Sequence, residues 1–450
     1  MCGGRGMKFF GAALFGVGAA LLSSDGVVAA DLGGSCCADL EERIAELEAT
    51  TARKGNRKVS LTMTGFVSQQ VMYWDDGNES NVYVNGQAPD LASRVTFGGE
   101  AVIQPGWKAG YQLTLSIDPT DALLVDQNTP NAGTGVTAIH SNWFLHSDTL
   151  GRVTVGLQSH ASDNAALDSD LSGTVIAANT VTFDGASFFL RPKGGSAGAA
   201  GLSGATWSDM AFFCQQVQFG IGGDCAGDRR NAVRYDTPTF GGLKLSASWG
   251  EDDFWDVAAR WTGKWQSFQL ALSGAYTSAT DDAYGDSDYT QVGAFIKHTP
   301  SGLWAYGVYG EEDAGFTGTK DDYHYYLKVG LTQKWTHLGS THIFGEYGQN
   351  HDMFGGITTG SGELCDAFFG VGGSISDACA SAVDTTVNLT GTEATRLGIG
   401  LQQDIDAAAM QLYAKWRRHE LTADFDDTGT SGKQHFEDFD MFIGGAVVFF

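Results

Sequence analysis

From residue 58 onward, apolar and polar residues alternate with a period of two. The clearest stretch is Trp107 to Asp118. Trp107, Ala109, Tyr111, Leu113, Leu115 and Ile117 alternate there with Lys108, Gly110, Gln112, Thr114, Ser116 and Asp118. Successive side chains of a strand point to opposite faces, so these residues predict a strand of about 40 Å with one oily and one wettable face. The pattern recurs at Val95, Phe97, Ala101 and Ile103, at Val153, Val155 and Leu157, at Leu243 to Trp249, at Leu397, Ile399 and Leu401, and at Met410 to Trp416. Sixteen such segments begin near residues 58, 91, 107, 137, 151, 229, 242, 253, 264, 287, 302, 322, 339, 392, 409 and 437.

The connections sort by parity. Those after even-numbered strands are tight, among them Gln104-Pro105-Gly106, Asp148-Thr149-Leu150, Thr262-Gly263 and Asp406-Ala407-Ala408. Those after odd-numbered strands are mostly long: 75–90, 118–136, 159–228, 280–286, 313–321, 351–391 and 421–436, with a short turn at 251–252 as the exception. A soluble sandwich has no reason to place its short turns at one end. An up-and-down barrel crossing a bilayer does, with short periplasmic turns and long outer loops. An even strand number lets the first and last strands close antiparallel, which removes the sheet edges that lipid would leave unsatisfied. The expected fold is all-β: a 16-stranded antiparallel transmembrane barrel. The polar faces carry too many Arg, Lys, Glu and Asp to bury unpaired, and sixteen strands leave room for water inside. Polar faces therefore line the lumen and apolar faces meet lipid. Tyr73, Trp74, Trp107, Trp249, Trp255, Trp261, Trp265, Tyr309, Tyr323 and Trp335 fall near strand ends, as aromatic girdles require.

Composition agrees with strands and tight turns: 62 of 450 residues are Gly, and aromatics reach 12%. The net charge of −26 repels phosphate backbones and argues against nucleic acid as a partner. It also suggests cation preference, although only the charges at a constriction decide that. Residues 1–30 read as a signal peptide: Arg5 and Lys8, the apolar run Phe9–Leu22, then small residues before Asp31. That run is too short for a spanning helix of ~20 residues. Residues 31–57 form a periplasmic segment in which Leu40, Ile44 and Leu47 recur at heptad spacing. They predict a short amphipathic helix, either a coiled coil helped by an oligomeric body or a solvated linker. The barrel then spans 58–450. Export suits the cysteines. Cys214 with Cys225, and Cys365 with Cys379, read as local disulfides. Cys36 and Cys37 are adjacent, which leaves pairing between chains open.

The sequence resembles the general-diffusion porins of Gram-negative outer membranes, and most of all the alphaproteobacterial, rhizobial-type branch. The resemblance is carried by CADLEERIAELEATTARKGNRKVSLTMTGFVSQQVMYWDDG at 37–77, SRVTFGGEA at 93–101, GRVTVGLQSHASD at 151–163 and the closing MFIGGAVVFF. It implies an outer-membrane location, a water-filled pore for passive diffusion of small hydrophilic solutes and ions, and a homotrimer surrounded by lipid and lipopolysaccharide. It implies that the third outer loop, 159–228, folds inward to narrow the lumen, and that Phe450 is the assembly signal. Asp163, Asp168, Asp170 and Asp184 are then the acidic side of the constriction. Arg94, Arg230, Arg234 and Arg396 have lumenal parity and are the basic candidates. Opposed charges across a narrow channel orient dipolar solutes and disfavour apolar ones. The resemblance also allows an anchor to peptidoglycan through an N-terminus beginning Ala30-Asp31.

Other signals point nowhere. Asp427-Thr428-Gly429-Thr430 imitates a protease motif but sits in a polar loop. The glycine runs at 220–223 and 370–373 lie between no strand and helix. His140, His146 and His160 read as wall or loop residues, and no spacing suggests a metal or cofactor site. Asp75-Asp76 and Asp281-Asp282 are acids of outer loops. Two readings compete with the pore: a barrel that serves mainly as a peptidoglycan anchor, and an outer-membrane enzyme, which needs convergent titratable residues above the membrane.

Overall fold

The computed structural model describes residues 58–87, 91–193, 205–212, 214, 223–225, 227, 229–250, 253–280, 287–313, 321–353, 388–427 and 430–450. The expected signal peptide, the N-terminal helix, Cys36, Cys37, Cys365 and Cys379 lie outside them.

Eighteen strands follow in chain order among these residues. The first nine are β1 (Thr62–Asp75), β2 (Ser80–Asn85), β3 (Ser93–Gln104), β4 (Trp107–Asp118), β5 (Gly135–Ser147), β6 (Gly151–Ser159), β7 (Arg229–Asp236), β8 (Leu243–Gly250) and β9 (Trp255–Trp265). The rest are β10 (Phe268–Ala279), β11 (Ser287–His298), β12 (Leu303–Asp313), β13 (Asp322–Thr336), β14 (Gly339–His351), β15 (Asn388–Ile405), β16 (Met410–Asp427), β17 (Thr430–His435) and β18 (Phe439–Phe449). Every pairing between strands is antiparallel, and β18 closes on β1 from Phe66↔Phe449 to Asp75↔Asp440. The wall is a closed barrel of sixteen strands, because β2 and β17 are not separate staves. The lower half of β1 pairs β3 and its upper half pairs β2. β16 pairs β18 below and β17 above in the same way.

Two stretches expected as loop, 75–90 and 421–436, therefore contain wall strands. The alternation is hidden because each stave breaks midway. At the first break the chain turns inward: the Gly86 amide donates to the Thr120 carbonyl at 2.6 Å, and the Gln87 side chain donates to the Ile176 carbonyl at 3.0 Å. The turn between β9 and β10 also differs from the expectation. Thr262 and Gly263 stay in the ladder opposite Ala271 and Leu270, and the chain reverses at Gln266, whose φ is +52°. Gly263 is in the strand because the Trp261 ring lies over it; a Cβ there would sit 2.5 Å from that ring.

Alternation sets the faces. On β1, Ser68, Gln70, Met72 and Trp74 are buried, while Val67, Val71 and Tyr73 are exposed. Leu113, Val233, Leu272, Val292, Ile296, Leu327, Val329, Ile343, Leu397 and Ile399 continue the exposed apolar belt. Tyr73, Trp249, Trp255 and Tyr309 edge it toward the long loops, and Trp265 and Trp335 edge it toward the short turns. Trp74 does not belong to this girdle. It shares the parity of Gln70 and points inward, packing at 5.5 Å on Tyr83 and 4.9 Å on Phe188.

The inner face is also less uniformly polar than expected. Trp74, Tyr306, Tyr326, Phe344 and Phe439 point inward and form one apolar cluster with Phe183, Phe188, Trp207 and Phe212 of the long loop. Such a face is compatible with an aqueous barrel only where protein covers it, and the loop does so.

Candidate pore

The loop enters the lumen directly after β6. The Arg234 guanidinium donates to the carbonyls of Ser159 (3.0 Å) and His160 (2.9 Å) as the chain leaves the wall. His160 Nδ1 lies 2.6 Å from Asp256 and 3.1 Å from the Ser162 hydroxyl. A Ser–His–Asp relay needs the carboxylate and the hydroxyl on opposite ring nitrogens. Here both use the same nitrogen and all three residues are buried, so the set fastens the loop to β9.

The loop's carboxylates then meet the wall in sequence. Asp168 pairs with Arg260 on β9 at 2.7 Å, Asp170 with Lys328 on β13 at 2.6 Å, and Asp184 with Lys415 at 2.6 Å and Arg417 at 3.1 Å on β16. Arg417 also pairs with Glu346 on β14 at 2.8 Å. Asp163 is buried, accepts from the Asn164 side chain at 2.7 Å and offers its own carbonyl to Arg260. The basic partners differ from the expected set. Arg396 is buried and reaches backbone: it donates to the carbonyls of Asn179, Thr180 and Thr182 at 3.1–3.3 Å and stacks on Phe183 and Tyr326. Arg230 lies over the Phe254 ring at 4.5 Å and Arg94 over the Phe66 ring at 5.0 Å. Lys415 and Arg417 were visible as the polar face of β16. What the sequence lacked was the register of the loop against the wall, which decides which lumenal cation each acid meets.

The loop is further held by its ring cluster, and a covalent link ties it to itself. Trp207, Phe212 and Phe183 surround His419 at 5.1–6.2 Å. Cys214 and Cys225 form a disulfide, with Cα atoms 5.5 Å apart. Glu312 and Asp322 lie beside it, but sulfurs bonded to each other are not the thiolate ligands a metal requires. A second outer loop, residues 119–134, adds Asp121, which accepts from the Leu123 amide at 2.7 Å. Burial, and then Asp118 beside it, push the Asp121 carboxyl well above the usual carboxylate range.

The ion pairs of Asp168, Asp170 and Asp184 all fall on the arc from β9 to β16, and Arg234 on β7 holds only the start of the loop. The opposite arc is different. His140, Arg152, Arg234 and Lys244 keep partial exposure and border a cavity of about 230 Å³, together with Gln112 and the carboxylate of Asp236. His146 sits lower, 3.3 Å from Asp148 at the short turn after β5. Phe450 exchanges two backbone hydrogen bonds with Gly65, at 2.9 and 3.0 Å. The geometry is a barrel with a loop fastened across one side of its lumen and a polar, partly open cavity on the other.

Comparison with known proteins agrees with this architecture. A profile of the Gram-negative porin family matches residues 19–373, more than three quarters of the chain. No curated protein matches the sequence. Among solved structures, the anion-selective porin from Comamonas acidovorans is similar at a TM-score of 0.52 and 15% identity, covering 87% of this chain and 100% of that one. OmpT, an outer membrane protein of Vibrio cholerae, is similar at 0.48 and 9% identity, covering 88% and 99%. A mutant of Rh. blastica porin is similar at 0.46 and 14%, covering 87% and 100%. At these identities the structures speak for the fold alone; the profile speaks for descent. With a closed sixteen-stranded wall, an oily exterior and a loop folded into the lumen, this chain belongs to the Gram-negative porin family.

Proposed function

We propose that solutes cross this channel along the arc from β4 to β8, between the wall and the open side of the inward loop. The chain is an outer-membrane porin, a channel for passive diffusion of small hydrophilic solutes. The observation that carries the route is the split of the lumen. Lumenal side chains of β11 to β16 are largely buried beneath the loop, whereas Gln112, Arg152, Arg234 and Lys244 remain partly exposed. Of the four acids expected at the constriction, Asp168, with its side chain half exposed and paired to Arg260, borders this open side. Asp170 and Asp184 act as fasteners of the loop, with Lys328, Lys415 and Arg417. We read the protein as a homotrimer embedded in lipid and lipopolysaccharide, on the strength of the family, and as a channel without catalysis. In support of the latter, the carboxylates Asp170, Asp184 and Glu346 inside the barrel are engaged with Lys328, Lys415 and Arg417 in holding the loop. Anchoring to peptidoglycan would involve residues 31–57, and analysis of sacculi for a covalent N-terminal adduct tests it.

The route is tested in planar bilayers by thiol modification. Gln112→Cys exposed to a bulky methanethiosulfonate should lose most of its single-channel current, and Val308→Cys, inward on β12 but buried, should lose none. The reverse result would place the path on the other arc. Folded protein that carries no current would remove the reading altogether.

A further inference from the structure

The charge that faces the open path has the opposite sign to the charge of the chain. Acids outnumber Lys and Arg by 53 to 27 overall. Inside the barrel, however, Asp170, Asp184 and Glu346 are buried against Lys328, Lys415 and Arg417, with side chains 0–2% exposed. These groups neutralise one another out of reach of a passing ion. Asp168 is matched by Arg260, and Glu100 near the short turns by Lys108 at 2.7 Å.

The cavity on the open arc is not matched in this way. Arg234 and Lys244 share one carboxylate, Asp236, at 2.9 and 3.0 Å. Arg152 donates to the Thr154 hydroxyl at 3.1 Å and lies 3.7 Å from the centre of the Phe144 ring. Among the described residues it has no carboxylate at ion-pair distance. Three permanent cations thus stand against one carboxylate in a cavity of about 230 Å³. The Debye length in physiological salt is about 8 Å, so acids on distant outer loops are screened while wall charges act on every ion that passes. Low-dielectric walls concentrate that field.

We infer that this porin favours anions over cations, and that Arg152, Lys244 and Arg234 set the preference. The inference rests on the route proposed above. An anion entering the cavity gains the Arg152 guanidinium and the surplus charge of the Arg234–Asp236–Lys244 group, and a cation meets both as a barrier. Arg234 has a second task, holding the start of the loop, so the informative substitutions are at Arg152 and Lys244.

Reversal potential in a tenfold KCl gradient reads the preference directly, because potassium and chloride have nearly equal mobility. The wild-type protein should reverse on the chloride side. R152Q/K244Q, first checked for heat-resistant folding, should lower the chloride-to-potassium permeability ratio at least about twofold while still conducting. A wild-type channel that is unselective or prefers potassium overturns the inference, and leaves the channel reading intact. A chloride-selective wild type whose ratio is unchanged in R152Q/K244Q overturns the assignment to these residues. Folded wild-type protein with no current removes the route and this inference together.

Discussion

Asp184 and Asp168 show how much the surroundings of a carboxylate matter. Both belong to the inward loop and both pair with a wall cation. Asp184 is fully buried and accepts from Lys415, Arg417 and, at 3.0 Å, the Gln70 side chain. Removing one member of a buried pair leaves the other charge uncompensated, at a cost of about 3–5 kcal/mol. Asp168 has a side chain half exposed to solvent, where a pair is worth about 0–1 kcal/mol. Asp184→Asn should therefore lower the unfolding midpoint of the detergent-folded barrel clearly and make single-channel currents noisier. Asp168→Asn should leave the midpoint within error. Equal effects in a denaturant titration would contradict this division between fastener and pore edge.

At the scale of elements, the long loop is a domain-like insert that packs by rings as much as by charge. Trp207 is buried against Phe212 at 6.1 Å and His419 at 5.7 Å. Truncating a buried aromatic costs about 3–5 kcal/mol. That cost falls on the seating of the loop, because the wall keeps its own ladder of hydrogen bonds. Trp207→Ala should thus raise single-channel conductance, or split it into substates, while the barrel remains resistant to sodium dodecyl sulfate at room temperature. Loss of that resistance would show the ring cluster to be part of the wall's stability. Much of this element was hidden in the sequence. Its length and its acids were legible, but Phe183, Phe188, Trp207 and Phe212 follow no period, so nothing local marks them as partners of Trp74 or Phe439 on distant strands.

The whole molecule depends on its exterior. Leu327 lies in the middle of β13, 49% exposed on the outer face. A lysine near the bilayer midplane of such a barrel costs about 2–4 kcal/mol. Leu327→Lys should insert into lipid vesicles more slowly and to a lower yield, while folding in detergent changes little. Insertion as efficient as that of the wild type would mean that this face is not in lipid. Charge has to be treated at the same scale with care: the total of −26 suggested cation preference, yet the carboxylates of the lumen are mostly consumed in fastening the loop.

The sequence alone determined the wall. Strand number, turn parity and the choice of which face meets lipid all follow from a period of two repeated along the chain, because a pleated strand has no other way to distribute side chains. It also placed the loop that enters the lumen, through its length and the family likeness. Tertiary structure decided the rest: that the staves at β2–β3 and β17–β18 are each broken midway, that Trp74 faces inward, and that Arg260, Lys328, Lys415 and Arg417 hold the acids. Those features depend on contacts between residues far apart in the chain, 231 positions for Lys415 and Asp184. Such contacts are set by the register of an aperiodic loop inside a closed cylinder, and no local pattern encodes that register.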